Sequence, residues 1–562
     1  MKRFLPLGAT LVVAVTWMLP SVASAAPEKS YANGVTVSGP VSPKVSIPLR
    51  SLRVNAALTS PRKKAEDREN PLDYLPDHGR AGTWNRTSVP VDPLAAKSVN
   101  PAHHTPSPSA QWDGTSNPTG CGGCSPPDVA GDIGWNHYVQ VVNATKVAIY
   151  DKAGTLLSGP SDLGDFWSSG NCTGNAGDPV LFYDTLADRW VLSQFTYPLK
   201  DICIAVSQTA DPLGSYYIYT FAVTGLGAPD YFKLSAWSDG YYMSANQNNY
   251  SAMVVDRNRM LGGLSATLQR FATTTDASHA AVPNFVLPAH VLGQTAPPAG
   301  TPGFFATFLA DDYAPHGVAT DQVRVYAFHA DFTTPANSTF LDVGDIAVAS
   351  FTYTVCGFFN FDCAPQGGTS QKVDALSEWP MWRLNYRNFG DHESLVANFT
   401  VPNASNAAPR WFELQRPTSG SWSLFQEGTY APDANWRYMG SMASDGQGNL
   451  ALGFTESSVS VKPRIRYATR LVSDTAGTLG APVSLIDGGG SQTGSNRWGD
   501  YTTMSVDPSN DCDFYYTNEY YSSDSSASWK TRIGSFRVPQ CKNIFLDNFE
   551  IGATTRWDAE AP

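Results

Sequence analysis

The sequence predicts an all-β protein, a β-propeller, on three observations. Short apolar or alternating runs recur between Gly, Asp, Asn and Pro from about residue 111 to residue 541, the pattern of strands separated by turns. Several runs share one plan: a polar residue, a strand of small and apolar residues, a turn, then a strand ending in Tyr, Phe or Trp. Charged residues make up 16% of the chain and aromatics 12%, against the ~25% charge of an average soluble domain.

The clearest copies of the plan occupy residues 128–142, 178–195, 233–246, 438–454 and 500–516, and weaker ones begin near Gly303 and His392. Seven units of roughly 60 residues leave loops beyond the ~40–50 residues of a four-stranded blade. One strand pair cannot bury its own face, whereas stacked blades can, and radial closure removes most exposed edges. The expectation is therefore a seven-bladed propeller over 111–541, with a pair of β-sandwiches as the competing architecture.

The flanks read differently. Lys2 and Arg3 precede an apolar stretch over 4–19, and Ala23-Ser24-Ala25 is a small-x-small site, so 1–25 reads as a signal peptide. The stretch is broken by Pro6, Thr10, Thr16 and Pro20 and falls short of the ~20 apolar residues of a membrane span. The mature chain is expected to be secreted or at the cell surface, with the periplasm as an alternative. Residues 26–110 lack periodicity and read as a flexible arm or pro-segment, with strand donation as an alternative, and 542–562 form a tail. The arm carries a balance of +4, while residues 111–562 carry −18, so phosphate-rich nucleic acid is excluded as a partner.

Eight cysteines in an exported chain imply disulfides. The simplest pairing is sequential: Cys121 with Cys124, Cys172 with Cys203, Cys356 with Cys363, and Cys512 with Cys541. The last pair would pin the final strands together. A zinc site at Cys121-Gly-Gly-Cys124 lacks a second ligand pair.

In a propeller, residues just before each inner strand converge at one mouth. The candidates are Asp128, Asp178, Asp230, Tyr231, Lys233, Asp391, His392, Arg437, Arg497, Trp498, Asp500 and Tyr501, with Arg387 nearby in sequence. Asp128 and Asp178 are the candidate ligands for a hard cation such as calcium. Trp498, Tyr231 and Tyr501 offer stacking faces for a sugar, with Asp230, Lys233, Arg387, Arg437 and Arg497 as its polar contacts. If the protein is an enzyme, His392, Asp391 and Asp500 are its proton carriers. Against these roles, Asp at a strand start also serves to cap a turn.

Gly177-Asp-Pro-Val180, Asp188-Arg-Trp-Val-Leu-Ser-Gln194, Cys203-Ile-Ala-Val-Ser-Gln208, Tyr386-Arg-Asn-Phe-Gly-Asp-His-Glu-Ser-Leu-Val396, Arg497-Trp-Gly-Asp-Tyr501, Thr517-Asn-Glu-Tyr520 and Thr531-Arg-Ile-Gly-Ser-Phe536 carry a resemblance. Across residues 120–541 the chain resembles a family of uncharacterised exported bacterial propeller-like proteins, and it is generically similar to sialidase-like propellers. It departs from the latter in lacking the repeated S-x-D-x-G-x-x-W box and the arginine triad. The resemblance implies the fold and export and adds no activity.

No G-x-S-x-G, H-E-x-x-H or Walker motif occurs, which removes the common hydrolase elbow, zincin and P-loop chemistries. The favoured function is an extracellular module binding a glycan or a protein. The alternatives are a polysaccharide hydrolase or lyase acting at the funnel, and a structural cell-surface protein.

Overall fold

The computed structural model describes residues 28–54, 89–117 and 125–542, apart from residues 96–97, 144, 176, 197–200, 224–228, 247–250, 273–284, 358–359 and 419. The signal segment 1–25, Cys121, Cys124 and residues 543–562 lie outside the described residues.

The protein is a β-propeller. Among the described residues its strands fall into seven four-stranded antiparallel units. Six units use consecutive strands within 130–162, 180–222, 230–272, 287–347, 381–429 and 436–486. The seventh has three strands within 503–537, and its fourth, Ala110–Ser116, comes from ahead of the first unit. That exchange ties the two ends of the ring together, with Ile533 opposite Trp112.

Each unit contributes its first strand to the axis. These inner strands are Ala130–Ile133, Val180–Asp184, Asp230–Ala236, Leu287–Val291, Met381–Asn388, Trp436–Ser444 and Thr503–Val506. Neighbours in this series pack side by side, and the last packs back on the first. The fourth and fifth also pair in parallel, from Ala289 opposite Leu384 to Val291 opposite Tyr386, which joins two units into one eight-stranded sheet. A strand covered on both faces is apolar or small throughout rather than alternating. Val180–Asp184 and Leu287–Val291 are accordingly buried at every position.

Face-to-face packing of units puts aromatic rings against backbone. Gly453, in the second strand of the sixth unit, lies under the ring of Tyr516 from the seventh: a Cβ there would sit 2.4 Å from Tyr516 Cζ. Three disulfides, Cys172–Cys203, Cys356–Cys363 and Cys512–Cys541, match the sequential pairing. The last closes the final unit by joining the turn of its first hairpin to the segment just beyond its third strand.

Part of the N-terminal region is built into the fold. Thr36–Val37 pairs with the outer strand of the third unit and Lys44–Val45 with that of the second. Asp92 is buried against Arg410 at 2.9 Å. These segments cover sheet edges that would otherwise present unpaired N–H and C=O groups.

Two unit starts differ from the sequence expectation. The fourth and fifth units begin at Leu287 and Met381, whereas Gly303 and His392 open their second strands. Both true starts lack an entry aspartate, and the loop before Met381, residues 348–380, is long. The repeat pattern therefore registers on the following strand.

Substituting Gly453 by Ala is expected to destabilise the protein by about 1–3 kcal/mol through overpacking against Tyr516, read as a lowered urea midpoint with unchanged slope.

Candidate functional site

The entries to the inner strands share a backbone device. Asp128, Asp178, Tyr231 and Met439 have φ of 38°, 44°, 49° and 50°, the left-handed region that non-glycine residues seldom adopt. In the third and sixth units this coincides with a register shift, between Asp230 and Lys233 and between Tyr438 and Ser441. The bulge re-aims the side chains that follow it.

Asp128, Asp178 and Asp500 come together here, with one carboxylate oxygen from each lying within 4.8 Å of the others, and all three residues are buried. Their oxygens latch consecutive units. Asp128 Oδ1 accepts from the Asp500 N–H at 2.8 Å, joining the seventh unit to the first. Asn143 in the first unit donates its side-chain amide to Asp128 Oδ2 and accepts from the Asp178 N–H at 3.0 Å. Asp178 Oδ2 accepts from the Tyr231 N–H at 2.9 Å, reaching the third unit. The carboxylates satisfy backbone donors as turn-capping aspartates do, but across units rather than within their own turns.

Lys233 faces this group. Its ammonium sits 3.4 Å from the centre of the Tyr231 ring and 4.1 Å from that of Tyr501, and it donates to the carbonyls of Tyr231 and Phe232 at 3.2 Å. Burial lowers its pKa to about 8, against the opposing attraction of Asp178, Asp500, Asp128 and Asp230. The Tyr231 hydroxyl is pushed well above its usual range by burial and then by the nearby carboxylates. Arg497 reaches Asp374 Oδ2 at 2.7 Å and also Asp500. Asp374 accepts from the Trp498 N–H at 2.7 Å, and burial pushes its carboxyl up to about 6 despite Arg497. Trp498 is fully buried and donates through Nε1 to Thr455 at 3.2 Å.

Two loops close this mouth. Gln366 and Gln492 exchange hydrogen bonds at 3.0 and 2.8 Å, Asp374 donates its N–H to the Asn496 carbonyl at 2.7 Å, and Trp379 packs on Tyr231 with ring centres 4.6 Å apart. Asp128, Asp178 and Lys233 are 0% exposed.

A calcium ion takes six to eight oxygens; here one oxygen from each of three aspartates comes together, and Lys233 brings a positive charge to the same place.

The remaining sequence candidates lie elsewhere. His392 opens the second strand of the fifth unit, and Asp391 is in the turn before it. An inner strand runs from the mouth to the far face, so this hairpin is at the opposite end from Asp500. The expectation that both sit at an inner-strand entry is overturned, because Met381–Asn388 takes that place. There, His392 Nδ1 meets Asp391 Oδ1 at 2.7 Å with the carboxylate 85% exposed, and its ring stacks on Phe389. Arg387 ends the same inner strand, bound to Asp511 at 2.8 and 2.6 Å and to the Ser444 carbonyl at 2.7 Å. Arg437 is buried against Glu456 at 2.6 Å and Asp433 at 2.8 Å. Asp230 begins its strand half-buried.

Sequence reading missed Asp374, Asn143 and the axial pair Arg383–Asp132. Arg383 on the fifth inner strand donates to Asp132 on the first at 2.8 Å, and the same Asp132 oxygen accepts from the Tyr183 N–H at 3.0 Å. Only the folded ring brings these residues together.

No family model matches the chain, and no curated protein matches it. Among solved structures it is similar to an α-L-arabinofuranosidase from Fusarium graminearum in complex with an iminosugar inhibitor, at 7% identity, covering 78% of this chain and 99% of that one, TM-score 0.34. It is also similar to a WD40 domain from fission yeast, at 9% identity, covering 72% and 94%, TM-score 0.30. An α-L-arabinofuranosidase from Lactobacillus brevis matches at 9% identity, covering 66% and 93%, TM-score 0.27. At these identities and TM-scores the likeness carries no argument, and the fold rests on the sheet topology.

Two outcomes test the closed mouth. Between pH 8 and pH 10 Lys233 is neutral in the fold but protonated in the unfolded chain, so the unfolded state binds more protons and stability rises with pH, by at most ~1.4 kcal/mol per unit. Lys233→Met is expected to remove that rise in urea titrations across this range. Arg383→Met leaves the Asp132 carboxylate buried without its cation and is expected to cost about 3–5 kcal/mol, with part recovered when Asp132→Asn is added.

Proposed function

We propose that the protein is an extracellular binding module that recognises a glycan without cleaving it. The observation that carries this reading is the separation of the candidate proton carriers. His392 and Asp391 lie on the face opposite Asp500, so no one substrate bond can meet all three. The groups at the Asp500 end hold one another in hydrogen bonds and are buried, whereas a general acid or base must reach its substrate proton within hydrogen-bond range. Three disulfides are consistent with an oxidising compartment. Lys233 and Arg497 supply positive charge to the aspartates of the mouth, so the reading needs no metal.

The test is a panel of immobilised polysaccharides, neutral, amino-bearing and uronate-containing, probed with the chain from residue 26 onward. Retention is expected without new reducing ends or unsaturated products, and is expected to survive a chelator. Release of either product class, abolished by substitution of Asp500, would replace this reading with a hydrolase or lyase.

A further inference from the structure

On the face opposite the closed mouth lies an open cleft of about 540 Å³ between the third and fourth units, lined by residues that include Asp239, Asp256, Arg259, His329, Asp331 and Phe332. Three local features build it. Asp239 sits in the turn linking Asp230–Ala236 to Gly240–Asn246. Asp256 ends the third strand of that unit and caps the short helix Arg257–Leu261, accepting from the Arg259 N–H at 3.1 Å. His329 ends the third strand of the fourth unit, and Asp331 and Phe332 follow it. Lys233 lies three residues before the end of the third inner strand, so roughly 10 Å of strand, at ~3.3 Å per residue, and the turn that holds Asp239 separate it from this cleft.

Some lining groups are committed to the scaffold. Asp331 accepts from the N–H groups of Thr333 and Thr334 at 3.0 and 2.7 Å and from the Asn337 amide at 3.1 Å, which holds its carboxyl below the usual range. Others are available. Among the described residues the Arg259 Nη groups and the His329 imidazole make no hydrogen bond, and both side chains belong to exposed residues. The Asp239 carboxylate accepts long contacts from the Tyr242 hydroxyl, at 3.2 and 3.3 Å. Phe332 is half-buried, one side on the core and the rest toward the cleft.

Resting on the glycan-binding reading, we infer that this off-axis cleft is the recognition site and that its ligand is a neutral or amino-bearing saccharide. A sugar needs fixed donors and acceptors for its hydroxyls and a flat apolar surface for its ring face, in a cleft of a few hundred Å³. Arg259 and His329 donate, Asp239 accepts, and Phe332 supplies the surface. Three carboxylates against one permanent cation, on a body of net negative charge, disfavour uronates and sulfated sugars by like-charge repulsion and favour an ammonium-bearing unit beside Asp239.

The test is calorimetric titration of the chain from residue 26 onward with xylo-, cello- and manno-oligosaccharides, a chitosan tetramer and an oligogalacturonate. At least one neutral or amino-bearing oligomer is expected to bind and the oligogalacturonate is not. Phe332→Ala and Arg259→Ala are each expected to weaken that binding about tenfold or more with a cooperative thermal unfolding transition retained. Wild-type affinity retained in both variants would overturn the cleft while leaving the glycan reading intact. Binding confined to the oligogalacturonate would overturn the ligand class. Absence of binding to every oligomer and to the polysaccharide panel would remove the glycan reading itself.

Discussion

Charge buried at the axis is the constraint on which the rest of this structure depends. Closing a sheet series into a ring brings seven inner strands to one line from which water is excluded, and an ionised group there must be paired and hydrogen-bonded or it is costly. The chain meets this with partners from different units. Asp132 is held by Arg383 and by the Tyr183 N–H, Asp128 by Asn143 and the Asp500 N–H, and Asp178 by the Tyr231 N–H. Apart from the Asn143 amide, which comes from the same unit as Asp128, each partner comes from another unit, so assembly of the ring and charge satisfaction reinforce each other.

The same logic explains why the mouth carries the ionisation pattern of a catalytic site while its groups are held by one another. Lys233 between two tyrosine rings, beside three aspartates, has the perturbed ionisation that often marks an active site, but structural ion networks perturb ionisation equally. What separates the two cases is access. The loops 348–380 and 487–502 cross the entry and exchange hydrogen bonds, and the ionisable groups beneath them are consumed by contacts within the protein. The opposite face has the reverse character, with an open cleft whose guanidinium and imidazole face outward.

Much of this was legible in the sequence. Strand-and-turn punctuation identified the propeller, and the entry aspartates Asp128, Asp178 and Asp500 converge at one mouth with Tyr231, Lys233 and Tyr501. What misled was a pattern that depends on an aspartate at each entry. The fourth and fifth units begin with Leu287 and Met381, so the pattern puts His392, flanked by two acids, at an entry, whereas it opens a second strand on the opposite face. The partners of the buried charges could not be read at all. Asp374 lies in a loop without periodicity, and Arg383 finds Asp132 some 250 residues away, a pairing set by ring closure rather than by any local signal. The cleft was likewise invisible, because it joins a hairpin turn, a one-turn helix and a second hairpin from two units.

The most direct test of the account is hydrogen–deuterium exchange with and without the best-binding neutral or amino-bearing oligosaccharide. The account predicts that amides of residues 178–180, 230–234 and 498–501 exchange slowly in the free protein and are unchanged by the ligand. Added protection is predicted only within 238–240, 257–264 and 329–333. Fast exchange at the mouth in the free protein, or ligand-induced protection centred there, would contradict it and make the axial aspartates and Lys233 the recognition site.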